Sequence, residues 1–307
     1  MDAITPRQQA AADEHSHLVK PAEMEWKPSH FPGCEMKTLL FDARTGLMTS
    51  LFRFAPGAIL PDHVHVDIEQ TYLLEGHLVD REGPATGIEA RAGEFIWRER
   101  GSRHSAWSPN GGMTLASVQT PNKFFGADGR ATDAAGQPWD EAWGDAKAES
   151  QTAQEDTMDA ITPKGGKITA DEHSHLVKPG EMEWKPTRFP GCEVKTLMSD
   201  PKTGLMTALM RFAPGAVLPD HEHVNIEQTY VLEGRLVDKE GPAEGIEAKK
   251  GEFIWREPGS RHSAWCPEGG LMLAIFQVPN KFYEKDGSVT DPTGKIWDEV
   301  WGHTGKG

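Results

Sequence analysis

The chain repeats itself, and that repeat constrains the fold more than any other feature of the sequence. ADEHSHLVKPAEMEWKPSHFPGCEMKTL near the start returns as ADEHSHLVKPGEMEWKPTRFPGCEVKTL. From Asp13 to Phe125 each position pairs with one 158 residues later (Asp13 with Asp171), without a gap and mostly with the same residue. QPWDEAWG and KIWDEVWG extend the match towards the C-terminus. Two copies of about 150 residues are too few and too large for a solenoid, so each is expected to be a complete domain. The opening hexapeptide is also copied, Met1–Pro6 as Met158–Pro163, as if two whole reading frames had been fused. Between the copies lies the polar stretch DAKAESQTAQEDT, Asp145 to Thr157, which reads as a linker. The expected organisation is therefore a domain at 1–144, a linker at 145–157 and a second domain at 158–307. Because two-fold pairs are the commonest assemblies, the copies are expected to resemble a homodimer made covalent, with further homo-oligomer formation open to it.

Composition removes several classes of function. No run approaches the roughly 18 apolar residues of a membrane-spanning helix, and the start lacks the apolar stretch of a secretory signal. With 47 Asp and Glu against 32 Lys and Arg, the net charge is −15. Such a surface repels nucleic acid and anionic lipid, so neither is expected as a partner. Three cysteines cannot make a disulfide framework, and the expected location is the cytoplasm.

Within each copy, apolar residues alternate at period two in short stretches such as GLMTSLFRF, QTYLLEGHLVD and GEFIWRE, separated by glycine-containing turns. This predicts an all-β fold of antiparallel strands, either a closed barrel or a double-sheet jelly roll. Asp128-Gly129 and Asp286-Gly287 mark tight turns, and the four-residue spacing of Trp139 with Trp143 and Trp297 with Trp301 fits one face of a short terminal helix.

Four metal-ligating side chains recur at fixed spacing. The first copy has His63, His65, Glu69 and His104; the second has His221, His223, Glu227 and His262. On a strand, His-x-His places both imidazoles on one face, the glutamate can return on the next strand, and the third histidine can approach from a strand pair farther along. Three neutral imidazoles and one carboxylate form a plausible shell for a divalent transition metal, leaving room for water, substrate or dioxygen. Neighbouring positions vary between the copies, Val64 against Glu222 and His77 against Arg235, while all four candidate ligands match.

The pattern G-x5-H-x-H-x3-E-x6-G, from Gly57 to Gly76 and from Gly215 to Gly234, followed by Gly93 through His104 and Gly251 through His262, resembles the two motifs of the cupin superfamily. With two copies, the chain resembles a bicupin. The second motif departs from the usual pattern: Glu99 and Glu257 stand where a proline is usual, and Ser108 and Cys266 replace the terminal asparagine. The resemblance implies two tandem cupin β-barrels (jelly-roll, RmlC-like) with one divalent transition metal per domain, Fe(II) first and Zn(II) next. From the FPG stretch to PNKF the chain is similar to the branch containing acetylacetone dioxygenase, 2,4'-dihydroxyacetophenone dioxygenase and the ChrR-type anti-sigma cupin. That similarity implies an Fe(II) dioxygenase that uses O2 to cleave a C–C bond beside a carbonyl in a small diketone or hydroxy-ketone. The alternatives are a zinc-binding cupin sensor or binding module, or a cupin isomerase or decarboxylase.

Arg98 and Arg256, six residues before the second-motif histidines, are candidates for polarising a substrate carbonyl if they point inward; salt-bridged outward arginines are the competing reading. Strand parity assigns Thr71, Leu73, Thr229 and Val231 to the ligand face, and turns Tyr72, Tyr230, Arg103 and Arg261 away from it. His15-Ser-His17 and His173-Ser-His175 lack a nearby Cys or carboxylate pattern and read as ordinary strand or loop residues. Cys34, Cys192 and Cys266 read as buried packing residues, and no phosphate loop or GxSxG elbow is present.

Overall fold

The structure is a computed structural model that describes residues 15–126, 128–144, 167–168 and 173–303. The hexapeptides Met1–Pro6 and Met158–Pro163 and the stretch 145–157 lie outside the described residues. The regular structure of the described chain is almost all antiparallel strand, as the period-two pattern predicts, and it forms two jelly-roll units.

In the first unit the sheet runs Ala131–Thr132, Lys123–Phe125, Ala58–Val64, Arg103–Ser108, Glu69–Glu82, Gly112–Val118, Met48–Phe54, Cys34–Phe41, Lys27–Pro28. The long strand Glu69–Glu82 organises the curl. Its first half pairs with Phe95–Arg98 and Gly112–Val118, and its second half with Glu89–Arg91 and Arg103–Ser108. The second unit repeats this order around Glu227–Glu240. Both Asp-Gly pairs close the expected tight turns, joining Lys123–Phe125 to Ala131–Thr132 and Lys281–Tyr283 to Val289–Thr290. The helix expected at the C-terminal end is present as Trp297–Trp301, with the Trp297 indole N–H donating to the Pro279 carbonyl.

The repeat groups residues by sequence; the compact units group them by contact, and the two groupings differ by one segment per copy. Among the described residues, the first unit holds 24–144 (without 127), 167–168 and 173–181, and the second holds 15–23 and 182–303. Strand Ser174–Val177 of the second copy thus pairs with Phe95–Arg98 in the first unit. Strand Ser16–Val19 of the first copy pairs with Phe253–Arg256 in the second. These pairings are filled by packing: Leu176 joins Leu73, Ile88 and Ile96 in one buried cluster, and Leu18 packs on the cluster containing Val231 and Ile254.

Gly76 and Gly234, the closing glycines of the first motif, have left-handed backbone with φ of 68° and 72°. A Cβ at either would overlap the carbonyl oxygen of Gly111 or Gly269, just before the neighbouring strand. Gly76→Ala should therefore lose more than the about 1–2 kcal/mol of left-handed backbone strain alone. Thermal denaturation should show a clear fall in melting temperature, whereas Gly87→Ala, which meets nothing within 4 Å, should show only the backbone cost.

Candidate metal centre

The three histidines of each set converge. A bulge between Leu60 and His63 shifts the register so that His63 lies directly across from His104, and the second unit does the same with His221 and His262. His65 follows the end of its strand and is fixed by its backbone, whose N–H donates to the Ser102 carbonyl (2.9 Å) and whose carbonyl accepts from Gly101 (2.8 Å). The candidate ligand atoms of His63, His65 and His104 all lie within 4.8 Å of one another, as do those of His221, His223 and His262, and all six residues are buried.

Hydrogen bonds settle which ring nitrogens face inward. Nδ1 of His63 donates to the Pro61 carbonyl and Nδ1 of His221 to the Pro219 carbonyl, both at 2.8 Å. Nδ1 of His104 donates to Asp80 and Nδ1 of His262 to Asp238, both at 2.7 Å. Each of these rings therefore turns an unprotonated Nε2 towards the centre. Burial, with the neighbouring His65, pushes His63 down to about 4, and burial with His223 does the same to His221. Burial also holds His65, His104 and His262 well below the usual histidine range. The result is a cluster of neutral imidazoles, with Nε2 of His104 and His65 only 3.0 Å apart. Nδ1 of His65 and Nε2 of both His223 and His262 are buried without hydrogen-bond partners. Buried polar atoms left unmatched in this way are rare, and lone pairs converging from neutral imidazoles are what a divalent transition metal takes. The residues fit such an ion.

Glu69 stands beside this trio, with Oε2 3.5 Å from His65 Nδ1; the matching distance from Glu227 to His223 is 3.1 Å. Asn122 donates to Glu69 at 2.6 Å and Thr71 at 3.1 Å, while Asn280 and Thr229 hold Glu227 at 2.8 and 3.3 Å. Burial raises the Glu227 carboxyl, but the adjacent His223, with His221 and Asn280, outweighs it and keeps the group well below the usual carboxylate range.

Arg98 and Arg256 lie inside the units, each in a buried ion pair. Arg98 Nη2 donates to both Asp80 oxygens (3.1 and 2.8 Å), and its Nη1 donates to Ser174 Oγ at 2.7 Å. Arg256 is engaged by Asp238 at 2.9 Å and Ser16 at 2.8 Å. Burial raises the Asp80 and Asp238 carboxyls, and the paired arginines oppose that rise. Arg103 and Arg261 face outward, paired with Asp62 and Asp220. Sequence reasoning passed over Asp80, Asp238, Asn122 and Asn280. The signal available for them was part of the one used for the histidines, a polar residue matched in both copies.

A cavity of about 100 Å³ opens onto the first centre. His63, Glu69, Arg98 and His104 line its polar side, and residues including Phe52, Leu60, Ile96 and Val118 line its apolar side. In the second unit Met272 replaces Thr114 and packs with Leu218, Leu236 and Ile254 in the core. The cavity described there, about 420 Å³, lies beside Met210, Phe276 and Phe282 and touches none of the three histidines.

The ChrR cupin-like domain profile matches residues 14–122 and 172–281, both copies and both histidine sets. The chain belongs to that family. Its two cupin domains make it a bicupin, and solved bicupin-type structures share the fold. A Pseudomonas aeruginosa protein provisionally described as glyoxylate-induced superposes with a TM-score of 0.62 at 13% identity, covering 89% of this chain and 93% of its own. A Nostoc punctiforme PCC 73102 protein provisionally described as a dioxygenase gives 0.58 at 14% identity, covering 86% and 83%. A single-residue variant of Bacillus subtilis oxalate decarboxylase gives 0.54 at 17% identity, covering 86% and 77%. No curated protein matches the sequence.

Replacing His104 and His262 together with alanine should abolish stoichiometric metal binding, measured by elemental analysis after desalting; each single variant should retain one equivalent. In metal-stripped protein, His63 and His221 titrate near about 4 when folded against about 6.5 when unfolded. Between those values the unfolded chain binds more protons, so stability falls as pH drops from about 6.5 towards about 4. Each histidine contributes up to about 3 kcal/mol of that loss, and urea denaturation of the stripped protein across this range should show it.

Proposed function

We propose that this bicupin is a metal-dependent dioxygenase, with Fe(II) the working ion, that cleaves a C–C bond beside a carbonyl in a small diketone or hydroxy-ketone. The observation that carries this reading is the cavity of the first unit, which joins a three-histidine centre and a carboxylate to an apolar wall. His63, His65, His104 and Glu69 would hold the ion there, and His221, His223, His262 and Glu227 in the second unit. Three neutral imidazoles and one carboxylate leave a divalent ion with one positive charge, which a singly charged enolate would balance. When bound, Fe(II) supplies Lewis acidity towards that enolate and redox partnership towards O2.

The protein's own residues do the rest. Asp80 holds the His104 proton on Nδ1, so the opposite nitrogen stays a free donor. Asn122 and Thr71 fix the Glu69 carboxylate against its neighbours. Phe52, Leu60, Ile96 and Val118 exclude water and accept the alkyl or aryl part of the substrate. Arg98 acts on substrate only at second hand, because Asp80 and Ser174 already engage its guanidinium. For the second unit, Met272 packed in the core favours a centre that holds an ion without turnover. The acidic chain with its three buried, unpaired cysteines suits a reducing cytoplasm, and none of its described helices is long and apolar enough to cross a membrane.

Protein purified anaerobically should contain iron and consume O2 with diketones or hydroxyacetophenones. Stoichiometric zinc with no oxygen uptake across the panel would overturn the dioxygenase reading. Thr114→Met should close the first cavity and lower turnover at least 10-fold while leaving metal content unchanged, whereas Met272→Ala should leave turnover within about two-fold.

A further inference from the structure

Two sequence features left without a role, the His-Ser-His pairs and the glutamate standing where the second motif usually has proline, meet in the structure. Strand Ser174–Val177 aligns Ser174 with Arg98, and the other edge of Phe95–Arg98 aligns Arg98 with Glu69. The Glu99 backbone N–H, which a proline would lack, donates to the His173 carbonyl at 2.8 Å. The Glu99 carboxylate takes both imidazoles of the pair, His175 at 2.8 Å and His173 at 3.3 Å. His175 also stacks on Trp97 with ring centroids 3.8 Å apart. The second unit repeats the clasp: the Glu257 N–H donates to the His15 carbonyl, its carboxylate meets His17 at 3.0 Å and His15 at 3.6 Å, and His17 stacks on Trp255 at 3.9 Å.

The serine between the histidines reaches further in. Ser174 is fully buried, accepts from Arg98 Nη1 at 2.7 Å, and lies 2.9 Å from Ser102 Oγ. Arg98 grips Asp80, and Asp80 receives the Nδ1 proton of His104. Ser16, Arg256, Asp238 and His262 form the same series in the second unit, with Ser16 3.1 Å from Ser260 Oγ.

We propose that each metal centre is completed by a positioning serine from the other sequence copy, so the partner a single copy requires is a second copy of itself. Ser174 serves the first centre and Ser16 the second. Each fixes the arginine, which fixes the aspartate, which fixes the tautomer and orientation of the third histidine. Without the hydroxyl, Arg98 loses a buried acceptor and swings with Asp80, and His104 loses its fixed donor direction. The inference rests on the metal reading above, and the test separates the two.

In the full-length His262→Ala background, where only the first centre binds, Ser174→Ala should weaken metal affinity about 10-fold, measured by chelator competition. Ser16→Ala in the same background should leave it unchanged, and Ser174→Thr should restore it. In metal-free protein labelled with 15N-histidine, the His104 Nδ1–H resonance should shift in Ser174→Ala and stay in place in Ser16→Ala. If the background binds no metal, the metal reading fails, and the resonance alone decides the serine's role. An unchanged affinity and resonance in Ser174→Ala, or an equal response to Ser16→Ala, would overturn the proposal.

Discussion

The buried pairing of Asp80 with Arg98, repeated as Asp238 with Arg256, is the contact on which the rest of each unit turns. Side-chain exposures of 3% and 4% leave almost no water to share the two charges, so their desolvation is offset only if every remaining donor and acceptor finds a partner. In the first unit the partners come from two directions: the second-motif histidine bonds Asp80, and the serine of the transferred strand bonds Arg98. Such a pair contributes little net stability. What it contributes is direction, because neither ion can turn without leaving a buried charge unmatched.

That direction is what turns three histidines into a site. Burial holds His63 and His104 below the usual histidine range, and a neutral ring has one nitrogen with a proton and one without. The Pro61 carbonyl and Asp80 hold the protonated nitrogens of His63 and His104 on the outside of the cluster, so unprotonated nitrogens collect inside it. The second unit keeps the same histidine arrangement but has a different cavity beside it. The histidines and their outer partners are therefore set independently of wall positions such as Thr114 and Met272, which shape the space beside them.

Much of this was legible in the sequence. Period-two patterning is local, so the all-β fold and the shared face of His63 and His65 follow from residues a few positions apart. The pairing of His63 with His104 depends on a bulge near Pro61, which no periodicity reports. Asp80 was obscured in the same way: a register shift between Leu73 and Glu75 separates it from Glu69, so parity counted from Glu69 no longer holds there. The His-Ser-His pairs were hardest to read, because their carboxylate partner is 76 residues away for His175 and 240 for His17. A search for nearby ligands finds nothing around them. Glu99 looked like a lapse in a motif until the strand it receives was in view.

The transferred strands also set a timetable. Ser16 is among the first described residues to be synthesised, yet its partner Arg256 follows 240 residues later. At about 5–20 residues per second, the ribosome takes tens of seconds to supply it. Until residues 174–177 emerge, the first copy has nearly all of its own strands but not the one that closes the edge at Phe95–Arg98. A nascent chain therefore carries an open sheet edge and an unmatched strand, each complementary to the same elements on a neighbouring nascent chain. Joining the copies keeps the correct partner tethered nearby, at a far higher effective concentration than any neighbour.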